Sequence, residues 1–283
     1  MFFILRCLGV YLLLFGFPSL FAEPSGLPLF AAELEKHESL YDKKLAELPE
    51  IKIKYSGSPQ DLIDFLTTLI KIDPERSEGY VERAEIYNIM NQYDRELEDL
   101  SIALTLEPEN LDLLESRIAT SSFLHTVALE NTKYLGGYPK HRAEVYGQAV
   151  ILDRDRLSEL MPEDAHNVYE RGKIKVLMGD VNGGIQDFNL SIELFPFPFA
   201  YMSRSEAKEQ LGDLQGALSD YVVLLAESPE DIYYYLQVQR INVLLGDLKS
   251  ACNIYNQAIK RFGKDVQGYP NLILVDPNDC KAV

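Results

Sequence analysis

Hydrophobic positions recur at intervals of three and four residues along most of the chain, which is the period of an α-helix with one apolar face. Prolines divide this pattern into units of nearly constant length, with intervals of 34, 54, 34 and 33 residues. Such regular spacing is typical of repeat proteins, and the long interval equals one unit plus a 20-residue insertion. The pattern predicts an all-α chain of repeated helical hairpins, with unit boundaries at Pro74, Pro108, Pro162, Pro196 and Pro229.

A short turn interrupts each unit near its middle. Leu211-Gly212-Asp213 and Leu245-Gly246-Asp247 are two of these turns, and Met178-Gly179-Asp180 and Asn91-Gln92 occupy the matching places. Glycine or asparagine accepts the left-handed conformation that ends a helix, and an aspartate that follows can cap the amides of the next helix. Each unit is therefore predicted to be a pair of antiparallel helices.

Small and aromatic residues recur at fixed places within the units. They are Tyr80, Arg83, Ala84 and Ala103 in the first copy, Arg171, Gly172, Phe188 and Ser191 in the third, Tyr201, Arg204, Ser205, Ala217 and Tyr221 in the fourth, and Tyr235, Ala251, Tyr255 and Ala258 in the fifth. Small side chains let two helix backbones approach closely, and each hairpin buries its apolar face against the next. In these residues the sequence between about Ser77 and Gly263 resembles the tetratricopeptide repeat (TPR) family, whose fold is a right-handed solenoid of antiparallel helix hairpins.

The regions around these copies are less regular. The copy between Pro108 and Pro162 is degenerate, with helices predicted over 111–134 and 143–160 and an insertion near 121–141. Residues 23–76 are predicted to form an N-terminal helical cap with a possible degenerate repeat, containing helices over 30–48 and 59–72. Residues 264–283 form a C-terminal tail in which Gly268-Tyr269-Pro270 opposes a long helix.

The first 22 residues have the layout of a secretory signal peptide. A single charge at Arg6 precedes an apolar run from Cys7 to Phe17, and the small residue Ala22 ends the segment. Cleavage after Ala22 would give an exported protein, periplasmic or secreted. In the alternative, residues 1–22 remain as a membrane anchor, although the apolar run is short for a spanning helix.

Composition and charge narrow the classes of partner. The chain has 283 residues, of which 47% are hydrophobic and 25% are charged, as expected for a globular protein. Its formal net charge of −17 opposes binding to nucleic acid, because nucleic-acid affinity depends on cations that displace counterions from phosphates. A protein or peptide is the expected partner.

Two of the three cysteines follow the signal segment. In an oxidising compartment Cys252 and Cys280 would form a disulfide that pins the tail to the last hairpin. The other interpretation is a buried Cys252 on a helix and a free Cys280 in a frayed tail. The sequence leaves both open.

No catalytic, cofactor or metal motif stands out, and the four histidines show no ligand spacing. We therefore expect no catalytic, cofactor-binding or metal-binding residues. An autonomous hydrolase would need a catalytic cluster within the insertion, around His125, Tyr138 and His141.

The resemblance instead implies recognition, because the first helices of TPR hairpins line a groove that binds peptides or partner helices. The corresponding slots predict an acidic entrance and an apolar floor, suited to a basic and hydrophobic ligand. In the alternative, the glutamates form a solvated face and the aromatic residues pack against neighbouring hairpins. The predicted groove residues are Glu78, Glu82, Glu85, Tyr169, Lys173, Phe199, Met202, Tyr233, Leu236 and Arg240.

The sequence thus favours a non-catalytic scaffold or adaptor of the cell envelope that binds a peptide or partner protein in this groove. The alternative is a membrane-anchored accessory subunit of an envelope enzyme or of a transport or assembly complex.

Overall fold

The computed structural model describes residues 26–54, 57–135, 138–263 and Cys280. Its regular elements over these residues are twelve α-helices, and none of the described residues lies in a strand. None of these helices combines the length and the apolar character needed to cross a lipid bilayer. The helices are α1 (Gly26–Lys54), α2 (Pro59–Ile72), α3 (Glu78–Ile89), α4 (Tyr93–Leu106), α5 (Leu111–Leu135), α6 (Tyr138–Leu160), α7 (Ala165–Leu177), α8 (Val181–Leu194), α9 (Pro198–Gln210), α10 (Leu214–Glu227), α11 (Ile232–Leu244) and α12 (Leu248–Phe262).

The chain divides into two compact units, one up to Pro108 and one from Glu109. In the first unit α1 packs on α2, α2 on α3, and α3 on α4. Tyr41 of α1 is fully buried, and its hydroxyl accepts a hydrogen bond of 3.1 Å from the backbone N–H of Gly79. Helix α2 has the predicted bounds, whereas α1 continues beyond the predicted end, through Pro49 to Lys54. Ile51 in this extension packs against the buried cluster of the unit, which explains why the helix continues.

The second unit consists of four hairpins that stack in chain order. The hairpins are α5–α6, α7–α8, α9–α10 and α11–α12, and the second helix of each packs on the first helix of the next. The prolines at 162, 196 and 229 all lie between hairpins, as the sequence predicted. The all-α fold of consecutive helix pairs is therefore confirmed.

The predicted turn chemistry is confirmed within the hairpins. Gly179, Gly212 and Gly246 have φ of +92°, +79° and +79°, and Asn91 has φ of +56°. The side chains of the aspartates that follow the glycines accept hydrogen bonds from the third amide of the next helix, from Gly183 to Asp180, Gly216 to Asp213 and Ser250 to Asp247. Gln92, in the matching place of α4, makes no such side-chain cap.

Close helix approach also occurs where small residues were expected. A Cβ atom at Gly172 would lie 2.8 Å from the ring of Phe188, so α7 and α8 could not pack as they do with a larger residue there. Ser205, Ala217 and Ala251 are completely buried at the corresponding contacts.

The degenerate copy differs from the prediction. Its second helix begins at Tyr138 and not at Ala143, so most of the insertion lengthens α5 and α6. Pro139 is compatible with this because it lies in the first helical turn, where its missing N–H is not needed. The buried ring of His125 packs beside Gly147 of α6, and its Nδ1 lies 2.7 Å from the carbonyl oxygen of Ala143. These contacts of His125 help to hold α5 against α6.

An arginine–aspartate pair recurs inside four of the hairpins. The arginine lies on the first helix and forms two parallel hydrogen bonds of 2.5–3.0 Å with an aspartate on the second. Every one of these aspartates is buried. The pairs are Arg83–Asp99, Arg117–Asp153, Arg171–Asp187 and Arg204–Asp220.

The third guanidinium nitrogen, Nη1, ties three of these pairs to the preceding helix. Nη1 of Arg83 donates a hydrogen bond to Thr67 of α2. In the same way, Nη1 of Arg171 donates to Asp155 of α6, and Nη1 of Arg204 donates to Asn189 of α8. One arginine therefore connects three helices.

The last hairpin has no such pair. Val238 and Ile254 occupy the places of Arg204 and Asp220, 34 residues further along, and they lie in the same apolar cluster. Cys252 of α12 forms a disulfide with Cys280, and both cysteines are buried. Of the two interpretations of these cysteines, the structure has the disulfide. The rest of the tail, residues 264–279 and 281–283, lies outside the described residues, as does the predicted signal segment.

Candidate functional site

The first helices of the second unit lie side by side, and we call the face they share the first-helix surface (α5, α7, α9 and α11). The Tyr169 hydroxyl of α7 lies 3.4 Å from the Ser203 hydroxyl of α9. Arg240 of α11 donates two hydrogen bonds of 2.8 Å to the carboxylate of Glu209 on α9. These contacts hold α7, α9 and α11 together as a continuous surface.

The predicted apolar groove residues differ in exposure. Phe199 is 61% exposed, and Met202 and Tyr233 are half-buried beside the cluster formed by α10 and α11. Tyr169 and Leu236 are buried, at 8% and 1% exposure. Tyr169 packs edge-on against Phe197, with ring centres 5.1 Å apart, so it supports the surface from beneath.

Carboxylates surround Tyr233. Burial and, secondarily, the charge of Glu206 raise the pKa of the Tyr233 hydroxyl. Burial and the neighbouring carboxylate of Glu209 raise the pKa of Glu206. Glu209 is paired with Arg240, whereas Glu206 contacts no cation among the described residues. The aromatic part of the surface therefore has a negative edge.

Lys173 of α7 forms an ion pair with Glu170 on the same helix. Its Nζ lies 2.9 Å and 3.1 Å from the two carboxylate oxygens of Glu170, and 5.2 Å from the centre of the Tyr169 ring. The pair carries no net charge.

A cavity of about 430 Å³ opens between α5, α6 and α7. Apolar side chains and charged groups share its wall, and this volume is within the range of small-ligand pockets. The sequence does not predict this site, because its residues come from three helices and match no motif. Its wall includes Ile118, Ser122, Arg154, Leu157, Asn167 and Ile174, together with Glu115, Asp164, Glu170 and Lys173.

The three predicted acidic residues belong to the first unit, on α3. Glu78 is paired with Arg76 at 2.7 Å, and Lys52 of α1 contacts both Glu82 and Glu85. The hydrogen bond from Arg76 lowers the pKa of Glu78. The structure therefore balances much of the negative charge on which the prediction of a basic ligand rested.

The two histidines of the hydrolase alternative lie outside the cavity. His125 is buried against α6, His141 is exposed, and neither lines the cavity. The side chain of Tyr138 lies outside the described residues. Among the side chains that are described, no group of three or more His, Cys, Asp or Glu is arranged to hold a metal ion.

Comparisons with known proteins identify the fold. No protein family matches the sequence, and no curated protein matches it. The solved structure of YrrB, described as a TPR protein with an unusual peptide-binding site, is similar, with a TM-score of 0.50 at 15% sequence identity over 77% of this chain and 98% of that chain.

Two further solved structures align at lower scores. A tetratricopeptide repeat protein from Parabacteroides merdae has a TM-score of 0.48 at 15% identity, over 85% of this chain and 93% of that chain. MamA has a TM-score of 0.49 at 14% identity, over 68% of this chain and 94% of that chain. The chain has the tetratricopeptide repeat fold, as its sequence predicted.

Proposed function

We propose that this protein is a non-catalytic scaffold or adaptor of the cell envelope that binds a segment of another protein along its first-helix surface. The observation that carries the proposal is the exposure of Phe199 on α9, a helix that also carries the half-buried Met202 and is bonded through Glu209 and Arg240 to α11, which carries Tyr233. Exposed aromatic side chains on a rigid support are typical anchors of protein interfaces. The peptide-binding site named for YrrB lies on the same fold.

The ligand of this region is hydrophobic, with a basic group placed near Glu206. Burial of an apolar side chain against Phe199 and Tyr233 would supply affinity, and the negative edge would favour a cation. The groove residues on α7, α9 and α11 serve in two ways. Phe199, Met202 and Tyr233 contact the ligand, while Tyr169, Leu236 and Arg240 hold the helices that carry them.

Export is part of the proposal. A disulfide such as Cys252–Cys280 is stable in an oxidising compartment and rare in a reducing cytosol, which supports a periplasmic or secreted location. The alternative is a membrane-anchored accessory subunit of an envelope complex, held by residues 1–22. Mass measurement of the mature protein distinguishes them. We expect a chain that begins at Glu23, whereas an intact N-terminus would favour the anchored subunit.

A matched pair of variants tests the binding surface. Partners are crosslinked and captured from the exported fraction with wild type, with the double variant Phe199→Ala/Tyr233→Ala, and with the control Val222→Ala/Leu248→Ala. The control removes exposed apolar side chains from second helices of the same unit. We expect the first double variant to lose partners that the control retains. Equal capture by all three proteins would refute the assignment.

A further inference from the structure

Arginines that are partly buried in this protein almost all contact a carboxylate. Seven arginines are half-buried in the described residues, and six of them lie within 2.8 Å of an Asp or Glu oxygen. A buried guanidinium without a paired anion is costly, which explains the rule. The six are Arg76, Arg83, Arg117, Arg171, Arg204 and Arg240, and the exception is Arg154 of α6.

Arg154 is held in place by a neutral partner. Its Nη1 donates to the side-chain oxygen of Asn167 at 3.1 Å, and the Asn167 amide nitrogen donates back to the Arg154 carbonyl oxygen at 3.0 Å. Arg154 Nε is fully buried and has no acceptor in the described part of the chain. Burial lowers the pKa of the guanidinium, and the charges of Glu170 and Asp164 offset only part of that effect. The Arg154 guanidinium is therefore held in a fixed orientation and charged, but no anion is in contact with it among the described residues.

A second unsatisfied donor lines the same cavity. Ser122 Oγ, on α5, is buried and makes no hydrogen bond to any described residue. The side chains of Ile118, Leu157 and Ile174 form apolar wall around the cavity. Buried polar groups normally find partners, so Arg154 and Ser122 are the residues of this cavity wall with hydrogen-bonding capacity left for a ligand.

We propose that the cavity between α5, α6 and α7 binds an acidic side chain of the partner segment, whose carboxylate accepts hydrogen bonds from Arg154 and Ser122. The proposal rests on the proposed function and names the chemistry of one contact. An anion that contacts Arg154 pairs its charge, which a neutral carbonyl oxygen would not do. A phosphate is disfavoured because its larger negative charge would face Glu115 and Asp164 on the same wall. The methylene groups of an acidic side chain would pack on the apolar residues.

The test uses small probes on the full chain. Isotope-labelled protein is titrated with N-acetylglutamate amide, with N-acetylglutamine amide as its neutral equivalent, and with N-acetylalanine, whose carboxylate is terminal. Shifts of the Arg154 and Asn167 resonances are followed by NMR. We expect saturable binding of the glutamate probe in the millimolar range, with affinity at least about tenfold above that of both other probes.

Two substitutions on the same helix provide the comparison. Arg154→Met should weaken binding of the glutamate probe by about tenfold or more, while Arg156→Met, an exposed arginine two residues away, should leave it unchanged. Ser122→Ala should weaken it by several-fold. Because Arg154→Met removes an unpaired buried charge, its melting temperature should equal or exceed that of wild type.

Several outcomes would overturn the proposal. These are failure of the glutamate probe to saturate, equal binding of the glutamine probe, stronger binding of the terminal carboxylate, and full affinity in Arg154→Met. If the carboxylate probe fails while Phe199→Ala/Tyr233→Ala still loses its protein partners, only the cavity assignment is wrong.

Discussion

The hairpins α7–α8 and α11–α12 are both antiparallel helix pairs, but different kinds of side chain lie between their two helices. In the first, Arg171 and Lys175 of α7 surround the buried carboxylate of Asp187, and Arg171 also reaches Asp155 on the preceding helix. In the last, Val238 and Ile254 fill the equivalent space, and a disulfide ties α12 to the tail. One fold therefore tolerates an ionic or an apolar centre.

The difference teaches what the ion pair contributes. A buried pair costs desolvation of both charges, and apolar residues of similar volume can replace it without loss of stability. The arginine adds a directional bond to the preceding helix, which an apolar side chain lacks. The hairpins that carry Arg171 and Arg204 are therefore bonded to the preceding helix through this arginine. The last hairpin is bonded to its predecessor through Arg240 and Glu209 instead, and a disulfide ties it to the tail.

The largest effect is expected from removing one buried partner. Asp187→Ala leaves Arg171 and Lys175 without their shared carboxylate and should destabilise the protein by about 3–5 kcal/mol. Asp155→Ala removes a carboxylate that is 50% exposed from the same arginine and should cost less than about 1 kcal/mol. Urea unfolding followed by circular dichroism measures both. Equal losses would show that burial does not decide the strength of these pairs.

The second prediction concerns the covalent link of the last hairpin. Cys252→Ser/Cys280→Ser opens a loop with a sequence separation of 28 residues and should cost about 3–4 kcal/mol in the chain-entropy model. Hydrogen exchange should locate the loss in α11 and α12. Reductant should shift the unfolding midpoint of wild type and leave the double variant unchanged. If reductant left the unfolding midpoint of wild type unchanged, the role given to the disulfide would be contradicted.

The smallest effect is expected when the apolar centre is transplanted. The triple variant Arg204→Val/Lys208→Asn/Asp220→Ile copies into α9 and α10 the residues found 34 positions later. Its free energy of unfolding should lie within about 1 kcal/mol of wild type, or above it, since no charge remains unpaired. Asp220→Ala alone, which strands Arg204 and Lys208, serves as the control and should be far less stable. A triple variant as unstable as this control would show that the ionic centre is indispensable.

Local sequence rules predicted the hairpins well because the signals act within a few residues. The left-handed glycines at 179, 212 and 246 and the caps of Asp180, Asp213 and Asp247 each depend on one turn of chain, and single prolines mark the boundaries between the units. The arginine–aspartate pair has a sequence signal too, since three of the four pairs are separated by 16 residues. The sequence alone does not distinguish this 16-residue spacing from a chance recurrence, because only the structure shows that the two side chains are in contact.

Prediction was weaker where distant residues decide the outcome. Lys52 balances Glu82 and Glu85 from another helix, which the repeat pattern does not place. Tyr169 occupies a predicted groove position, yet it is buried and packs edge-on against Phe197. Tyr138, five residues before the predicted helix start, is helical in the degenerate copy.

The sequence by itself determined which segments are helices, where they turn and which small residues let them meet, because helical periodicity and capping are local properties. Only the tertiary structure decided which charges are paired, which aromatic side chains remain exposed, and that Arg154 and Ser122 line one cavity. Those outcomes depend on atoms brought together from separate helices, since burial and electrostatic pairing are properties of the packed chain.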